Sequence, residues 1–345
     1  MNKKRATSED VAQLAGVSRT TVSFVLNNVQ GVNIRESTRA RILKVAKELN
    51  YMPNVSGRKL VSGKTNTIGL VLLQSPEQVR ADAILINVMM GVEKAATKMG
   101  YHVLLKQIDQ NTNSYTQLVR ENSVDGIILS GPRKDDSEIV DLFHDGFPVV
   151  LMGQLPETDL PNVDIDAEAG AFTAVEYLTQ LNHKTIAMIT NAPLEFTSAQ
   201  QRAAGYRKAL HDAGIEFKPS LLQEGNYTPQ SGYEAMNRLL TFHPFPSAVF
   251  VASDVVAIGA IQAIHAAGLR IPEDISIIGF DDITLAEYFT PALTTIRLPA
   301  SELGFAAGEQ LLHIIKGEQL ETSSIILESK LIVRSSCAPS NSNTK

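Results

Sequence analysis

The chain has 345 residues, 44% of them apolar and 20% charged, with one cysteine and no tryptophan. That length allows two or three units with cores of their own, and the longest apolar runs, such as 68–73 and 325–327, are far too short to span a bilayer. The net charge of −6 hides a division: residues 1–64 carry 12 Lys and Arg against 4 Asp and Glu, whereas 65–345 carry 19 against 33. A basic head on an acidic body points to a polyanionic partner for the head alone.

Residues 1–5 are basic, and polar rather than apolar residues follow them, so a cytoplasmic protein is expected and an exported one is not. Thr7-Ser8-Glu9-Asp10 then opens a helix, with Thr7 as cap and Asp10 as the returning acid of a capping box. Val11, Leu14 and Ala15 form its expected inward face. Gly16-Val17 is a tight turn, Ser18 caps a second helix over 19–27, and a third covers 37–49, ended by Pro53. Three short helices with a glycine turn between the first two have helix-turn-helix spacing.

On the second helix, at about 100° per residue, Val22, Val25 and Leu26 share one face while Thr20, Phe24 and Asn27 point away from it. An outward Phe among small polar residues suits DNA: Thr and Asn bond base edges, and Phe or a Thr methyl packs on the thymine methyl group. Arg19, Lys3, Lys4, Arg5, Arg35 and Arg39 are candidates for phosphate contacts, which fix register without reading sequence. The polar, glycine-bearing stretch 54–64 reads as a linker.

Beyond it, short apolar strands alternate with amphipathic helices. Strands are expected over 67–73, 101–107, 125–130, 148–152, 185–190, 248–252 and 275–279. Helices are expected over 87–99, 115–121, 137–144, 169–181, 199–213, 230–241 and 255–267. Repeated β-α units with apolar strands mean parallel sheets covered on both faces, and so many strands mean two of them, with a ligand cleft at the carboxyl ends. Cys337, alone between a strand-like run and a Ser/Asn/Pro tail, reads as an inert thiol.

The run Asp10-Val11-Ala12-Gln13-Leu14-Ala15-Gly16-Val17-Ser18, with Thr21-Val22-Ser23 and Val25-Leu26-Asn27, resembles the head of the lactose-repressor family. Thr38-Arg39, Leu49-Asn50-Tyr51 and Pro53-Asn54 continue the pattern, and Arg58-Lys59-Leu60 resembles the family's hinge. The likeness extends down the body through Val124-Asp125-Gly126, Gln201-Arg202-Ala203-Ala204-Gly205-Tyr206, Ala252-Ser253-Asp254 and Gly279-Phe280-Asp281-Asp282 to Leu331-Ile332-Val333-Arg334. It implies an all-α helix-turn-helix head (1–53), a hinge (54–64) and a two-lobed α/β, parallel-sheet body like a periplasmic binding protein (65–337). Lobe one would take about 66–163 plus 295–325, lobe two 164–294 plus 326–337, and 338–345 would be a disordered tail.

The resemblance further implies a homodimer on near-palindromic operator DNA, acting as a repressor under the control of a sugar-like or nucleobase-like effector. Thr7, Ser18, Arg19, Thr20, Thr21, Ser23, Phe24 and Asn27 would meet DNA, with Leu60 wedged into the minor groove from a hinge that orders only on DNA. Arg202, Ser253 and Asp281 would line the cleft, with Phe196, Ser198 and Asp254 nearby; a guanidinium fork beside a carboxylate suits a polyol or a ring with N–H groups. Three positions depart from the family: Phe24 replaces a guanine-reading Arg, Gly57 replaces a hinge Ala, and Ile84-Leu85 replaces an aromatic pair. Gly153 also stands where an acid or amide is usual. Read without the family, Arg202 is a surface ion-pairing residue on the 199–213 helix, and Asp281-Asp282 is equally a turn or a metal site, though no His or Cys partner lies nearby. An activator, or a constitutive binder with a vestigial cleft, is compatible with the same residues. No phosphate loop, dinucleotide fingerprint, nucleophile elbow or metal-ligand spacing is present, and His183, His211 and His243 are scattered, so neither catalysis, a metal nor a cofactor is expected.

Overall fold

The computed structural model describes residues 6–27, 31–51, 64–108, 115–121 and 123–340. They fall into two units, Met1–Thr65 and Asn66–Lys345.

The first unit holds α1 (Ser8–Ala15), α2 (Arg19–Leu26) and α3 (Glu36–Glu48). Thr7 caps α1 reciprocally: Asp10 N–H donates to Thr7 Oγ1 at 3.3 Å and Thr7 N–H to Asp10 Oδ2 at 2.7 Å. Gly16 makes the turn at φ +62°, a conformation costly for any residue with a Cβ, and Ser18 Oγ accepts from Thr21 N–H to start α2. Val11, Ala12, Ala15, Val22, Val25, Ile42 and Ala46 form the core, with Leu26, Val45 and Leu49 half-buried against it. Leu14, expected inside, is 64% exposed. The neighbouring helices pack on the Ala12 flank of the Val11–Ala15 stripe, where a small side chain allows close approach. Helix α3 ends at Glu48, within one residue of the expected 49, where Asn50 turns left-handed at φ +49° and Tyr51 N–H closes back on Ala46 O.

The second unit lays its chain across two sheets. The first pass builds β1 (Thr67–Leu72), α4 (Pro76–Ala81), α5 (Leu85–Lys98), β2 (His102–Gln107), α6 (Tyr115–Arg120), β3 (Gly126–Ser130), α7 (Ser137–His144), β4 (Val149–Met152) and β5 (Asn162–Ile165). The chain then crosses to α8 (Ala167–Gln180), β6 (Ile186–Ile189), α9 (Thr197–Asp212), β7 (Leu222–Gln223), α10 (Pro229–Leu240), β8 (Ala248–Val251), α11 (Asp254–Ala266), β9 (Ser276–Asp281) and β10 (Thr294–Arg297). It returns for α12 (Ala300–Lys316) and β11 (Ser324–Leu327), and crosses once more for β12 (Lys330–Ile332). The strand orders are β11-β5-β4-β3-β1-β2 and β12-β10-β9-β8-β6-β7, all parallel except the β10–β12 pair. Strands β4, β6, β8 and β9 are buried along their whole length, which is why they read as unbroken apolar runs.

Three elements sit differently from the lobe boundaries expected above. Thr294–Arg297 belongs to the second sheet, since Thr295 and Ile296 pair with Gly279 and Phe280. The first lobe's second segment therefore begins at α12 and keeps β11 through Leu327, and β5 carries the first through Ile165. Residues 338–340 of the expected tail are tied down: the buried His183 bonds Ser247 Oγ and Ala338 O, and Ser340 N–H donates to Leu181 O. Cys337 Sγ donates to Ile277 O, and burial pushes its thiol up to about 12, so it is chemically quiet.

Candidate functional site

Helix α2 exposes Arg19 and Thr20 to solvent, while Thr21, Ser23 and Phe24 are half-buried. Among the described residues Phe24 is not part of the apolar cluster of the head. Thr7 and Ser18, counted among the DNA-facing residues, are exposed but engaged as helix caps. Arg19 Nε lies 3.3 Å from Glu9 Oε2, an exposed ion pair worth little and readily exchanged for a phosphate. Asn27 does not point outward: it caps the end of α2, its amide N–H donates back to Ser23 Oγ at 3.1 Å, and its Oδ1 is buried. Residues four apart share a helix face, which allows the amide to fold along it. Lys3, Lys4, Arg5, Gly57 and Leu60 lie outside the described residues.

In the second unit a cavity of about 140 Å³ opens at the carboxyl ends of both sheets. The first lobe contributes Gln74, Asp82, Ile84, Ser130, Gly153 and Asp164. The second contributes Asn191 and Phe196, Ser198 and Arg202 from the start of α9, and then Tyr227, Ser253 and Asp281. Arg133 and Glu195 pair across the lobes, as do Gln78 and Asn226, and Thr197 N–H donates to Pro132 O.

Arg202 is buried, not a surface residue. Its guanidinium stacks 3.9 Å from the Phe280 ring centroid, donates to Ala252 O, and stands 3.7 Å from Asp281 Oδ1. Burial lowers its pKa, opposed by Asp281 and Asp164, and its Nε has no hydrogen-bond partner. Asp281 and Asp282 part company because both sit at positive φ, +122° and +57°. The Asp281 carboxylate enters the cavity, while Asp282 receives Arg297 Nε and Arg334 Nη2, each at 2.7 Å. Ser253 caps nothing at the start of α11, and its hydroxyl serves Asp281 instead. Burial raises Asp281 to about 6 against the opposing pull of Arg202.

Asp254 is the expected site residue that the cavity does not reach. It is fully buried behind the wall, accepting from Ile283 N–H at 3.0 Å and Thr295 Oγ1 at 2.7 Å, and tethers β10 and the loop after β9 to α11. Burial beside Asp281 raises its pKa.

Sequence reasoning missed Gln74, Asp82, Asp164, Asn191 and Tyr227. Asp82 accepts from Gln74 Nε2 and from the N–H groups of Ile84 and Leu85 at the start of α5, all at 3.1 Å, and burial raises its pKa. Asp164 Oδ1 accepts from Ile165 N–H at 2.8 Å and Gln201 lies near, but Oδ2 is buried with no partner; burial lifts this carboxyl to about 6. Asn191 donates to Ser198 Oγ while its Oδ1 is likewise without a partner. The signal available for Asp164 and Asn191 was position alone, a polar residue at or just after the carboxyl end of an apolar strand. Aromatic surface, absent at Ile84-Leu85, comes from the other lobe: Phe196 and Tyr227 meet edge to face at 5.5 Å. A side chain at Gly153, which holds φ +117°, would meet Pro132 Cδ at 2.7 Å, so an acid or amide there is excluded by packing. Among the described residues no three His, Cys, Asp or Glu side chains group as a metal site, and no helix is long and apolar enough to cross a membrane.

Residues 7–54 match the bacterial regulatory proteins of the lacI family, and 175–337 match a periplasmic binding protein-like domain. The chain is similar to the probable HTH-type transcriptional repressor ExuR of Bacillus subtilis, 36% identical over 96% of this chain and 98% of that protein. Its fold is similar to a transcriptional regulator CelR–cellobiose complex, with TM-score 0.72 and 33% identity over 96% of this chain and all of that one. It is also similar to the lac repressor dimer bound to operator and the anti-inducer ONPF, with TM-score 0.82 and 28% identity over 97% of this chain and all of that one.

Proposed function

Because the chain belongs to the LacI family of bacterial regulatory proteins, DNA-binding regulators of transcription, we propose that it is a repressor whose hold on operator DNA is set by a small molecule bound between its two lobes. The observation that carries the second half of this reading is one cavity at the carboxyl ends of both sheets to which each lobe contributes charged and polar side chains, Asp82 and Asp164 from the first and Ser198, Arg202, Ser253 and Asp281 from the second. Arg202, Asp281, Ser253, Ser198 and Phe196 are the small molecule's contacts from the second lobe, Asp164 and Asp82 from the first; Asp254 supports Asp281 from behind.

Ser18, Arg19, Thr20, Thr21, Ser23 and Phe24 are the DNA-facing set on and beside α2. Two copies bind a two-fold operator, as the lac repressor dimer does on its own. The protein acts in the cytoplasm and catalyses no reaction, in keeping with relatives that are regulators. The test is selection from random duplex DNA with the full chain. One two-fold symmetric sequence should be enriched, and log affinity should fall with log salt by about 0.9 per phosphate contacted. Binding without sequence preference would contradict the reading.

A further inference from the structure

Two turns that belong to different lobes, and to none of the chain crossings, are bonded to each other. Arg133, in the turn after β3, and Phe196, in the turn before α9, pair as a short antiparallel bridge. Lys134 N–H donates to Glu195 O at 3.2 Å, and Thr197 donates to Pro132 O through its N–H and its Oγ1 hydroxyl, each at 3.3 Å. The Arg133 guanidinium reaches on to pair with the Glu195 carboxylate and lies 5.2 Å from the Phe196 ring centroid. Both turns are shaped for this. Gly131 leaves β3 at φ +69°, and any Cβ on Gly153 would meet Pro132 Cδ at 2.7 Å, so the bare backbone at 153 gives Pro132 its seat. In the other lobe Phe196 N–H donates to Pro193 O at 3.1 Å and Gln200 Nε2 to Leu194 O at 2.7 Å, which ties the turn to the start of α9. Gly131, Pro132, Gly153, Phe196 and Thr197 line the cavity, whereas the Arg133 and Glu195 side chains do not and are 31% and 46% exposed. The bridge therefore stands between the cavity and solvent.

We propose that this bridge is a clasp over the cavity, with Arg133 and Glu195 as the positioning residues that set how often the lobes part there. The inference rests on the reading of the cavity as the effector site and adds what controls access to it. Every bond in the clasp joins one protein group to another, and none uses Arg202, Ser253 or Asp281. It therefore favours the shut arrangement on its own, and a bound molecule adds to that preference instead of creating it. The partly exposed ion pair is the weak link: such pairs contribute little each, so a change of charge at 133 or 195 shifts the balance without unfolding either lobe.

The test uses the full chain and needs no effector. Ser253→Cys places a thiol on the cavity wall at a position 8% exposed, and iodoacetamide, an uncharged probe, alkylates it when the clasp opens. The Cys337 thiol, pushed up to about 12, adds only a slow background. In this chain Arg133→Glu and Glu195→Arg should each speed alkylation about 5- to 30-fold, through loss of the pair and like-charge repulsion across the bridge. The double reversal, which restores an opposite pair, should return the rate to within about twofold of the parent. A direct effect of charge on the thiol would instead push the two single reversals in opposite directions, and damage to the fold would not be repaired by the double. Either of those results, or no change in the single variants, overturns the inference. Operator affinity of the same three clasp variants with native Ser253 separates this inference from the reading it rests on. If the clasp opens as expected while operator affinity matches wild type throughout, the regulatory reading falls and the clasp stands.

Discussion

A carboxylate held in a cavity costs stability until something pairs with it, and Asp164 is such a group. Its folded-state pKa of about 6 stands above the ordinary 3.8, so between those values the folded protein holds the proton that the unfolded chain releases. Stability of the ligand-free body should therefore rise as pH falls from 7.5 toward 5.5, with Asp281 and Asp82 shifted in the same direction. A two-unit shift corresponds to about 3 kcal/mol at neutral pH. Asp164→Asn should raise the melting temperature at pH 7.5 by a few degrees and flatten its rise toward pH 5.5; an unchanged profile would show that Asp164 is not the strained group. In the head, Phe24→Arg should change which operator is selected from random DNA, whereas Arg19→Ala should weaken all sequences alike and reduce the salt slope. Positions were legible where a motif carried them: Arg202, Ser253 and Asp281 all line the cavity. Asp164, Asn191 and Tyr227 were not, because nothing local says that a strand end from one lobe and loops from the other converge. Asp254 misled because its neighbour Ser253 does line the cavity, while Asp254 turns to Ile283 N–H and Thr295 Oγ1 behind the wall.

At the scale of elements, helix pairs approach so closely that only glycine fits. A Cβ on Gly205 of α9 would meet Glu168 O of α8 at 2.1 Å, backbone that has nowhere to go. Gly205→Ala should destabilise the body by about 1–3 kcal/mol, read by chemical denaturation, and a neutral result would contradict the packing described. Most long amphipathic helices and the buried strands were readable because 3.6-residue and continuous apolar patterns survive single substitutions, but α12, the longest described helix, was missed. The strands β5 (Asn-Val-Asp-Ile) and β10 (Thr-Thr-Ile-Arg) were missed because they mix polar with apolar residues, unlike the equally short β4, β6 and β8, and pairing of Val163 with Ile325 and of Thr294 with Ile278 defines them. Leu14 was misplaced for a related reason, since a one-helix wheel cannot tell which flank of a stripe the next helix will cover.

For the whole molecule, the charge division between residues 1–64 and the rest already separated the DNA-facing head from the ligand-facing body. The chain crosses between sheets after β5, after β10 and after β11, so a ligand touching Asp164 on one sheet and Asp281 on the other ties together lobes that share no strand. Any change this makes in operator affinity must be returned, because linkage is reciprocal. The most direct measurement is operator titration of the full chain with and without a saturating concentration of the small molecule that binds it best in a screen of sugars and nucleobases, repeated with Asp281→Asn. The expected result is a shift in operator affinity of about 5- to 150-fold, matched by an equal shift in ligand affinity when operator is present, and lost in Asp281→Asn at the same ligand concentration. Saturation of the cavity with no change in operator affinity in wild type would contradict the account.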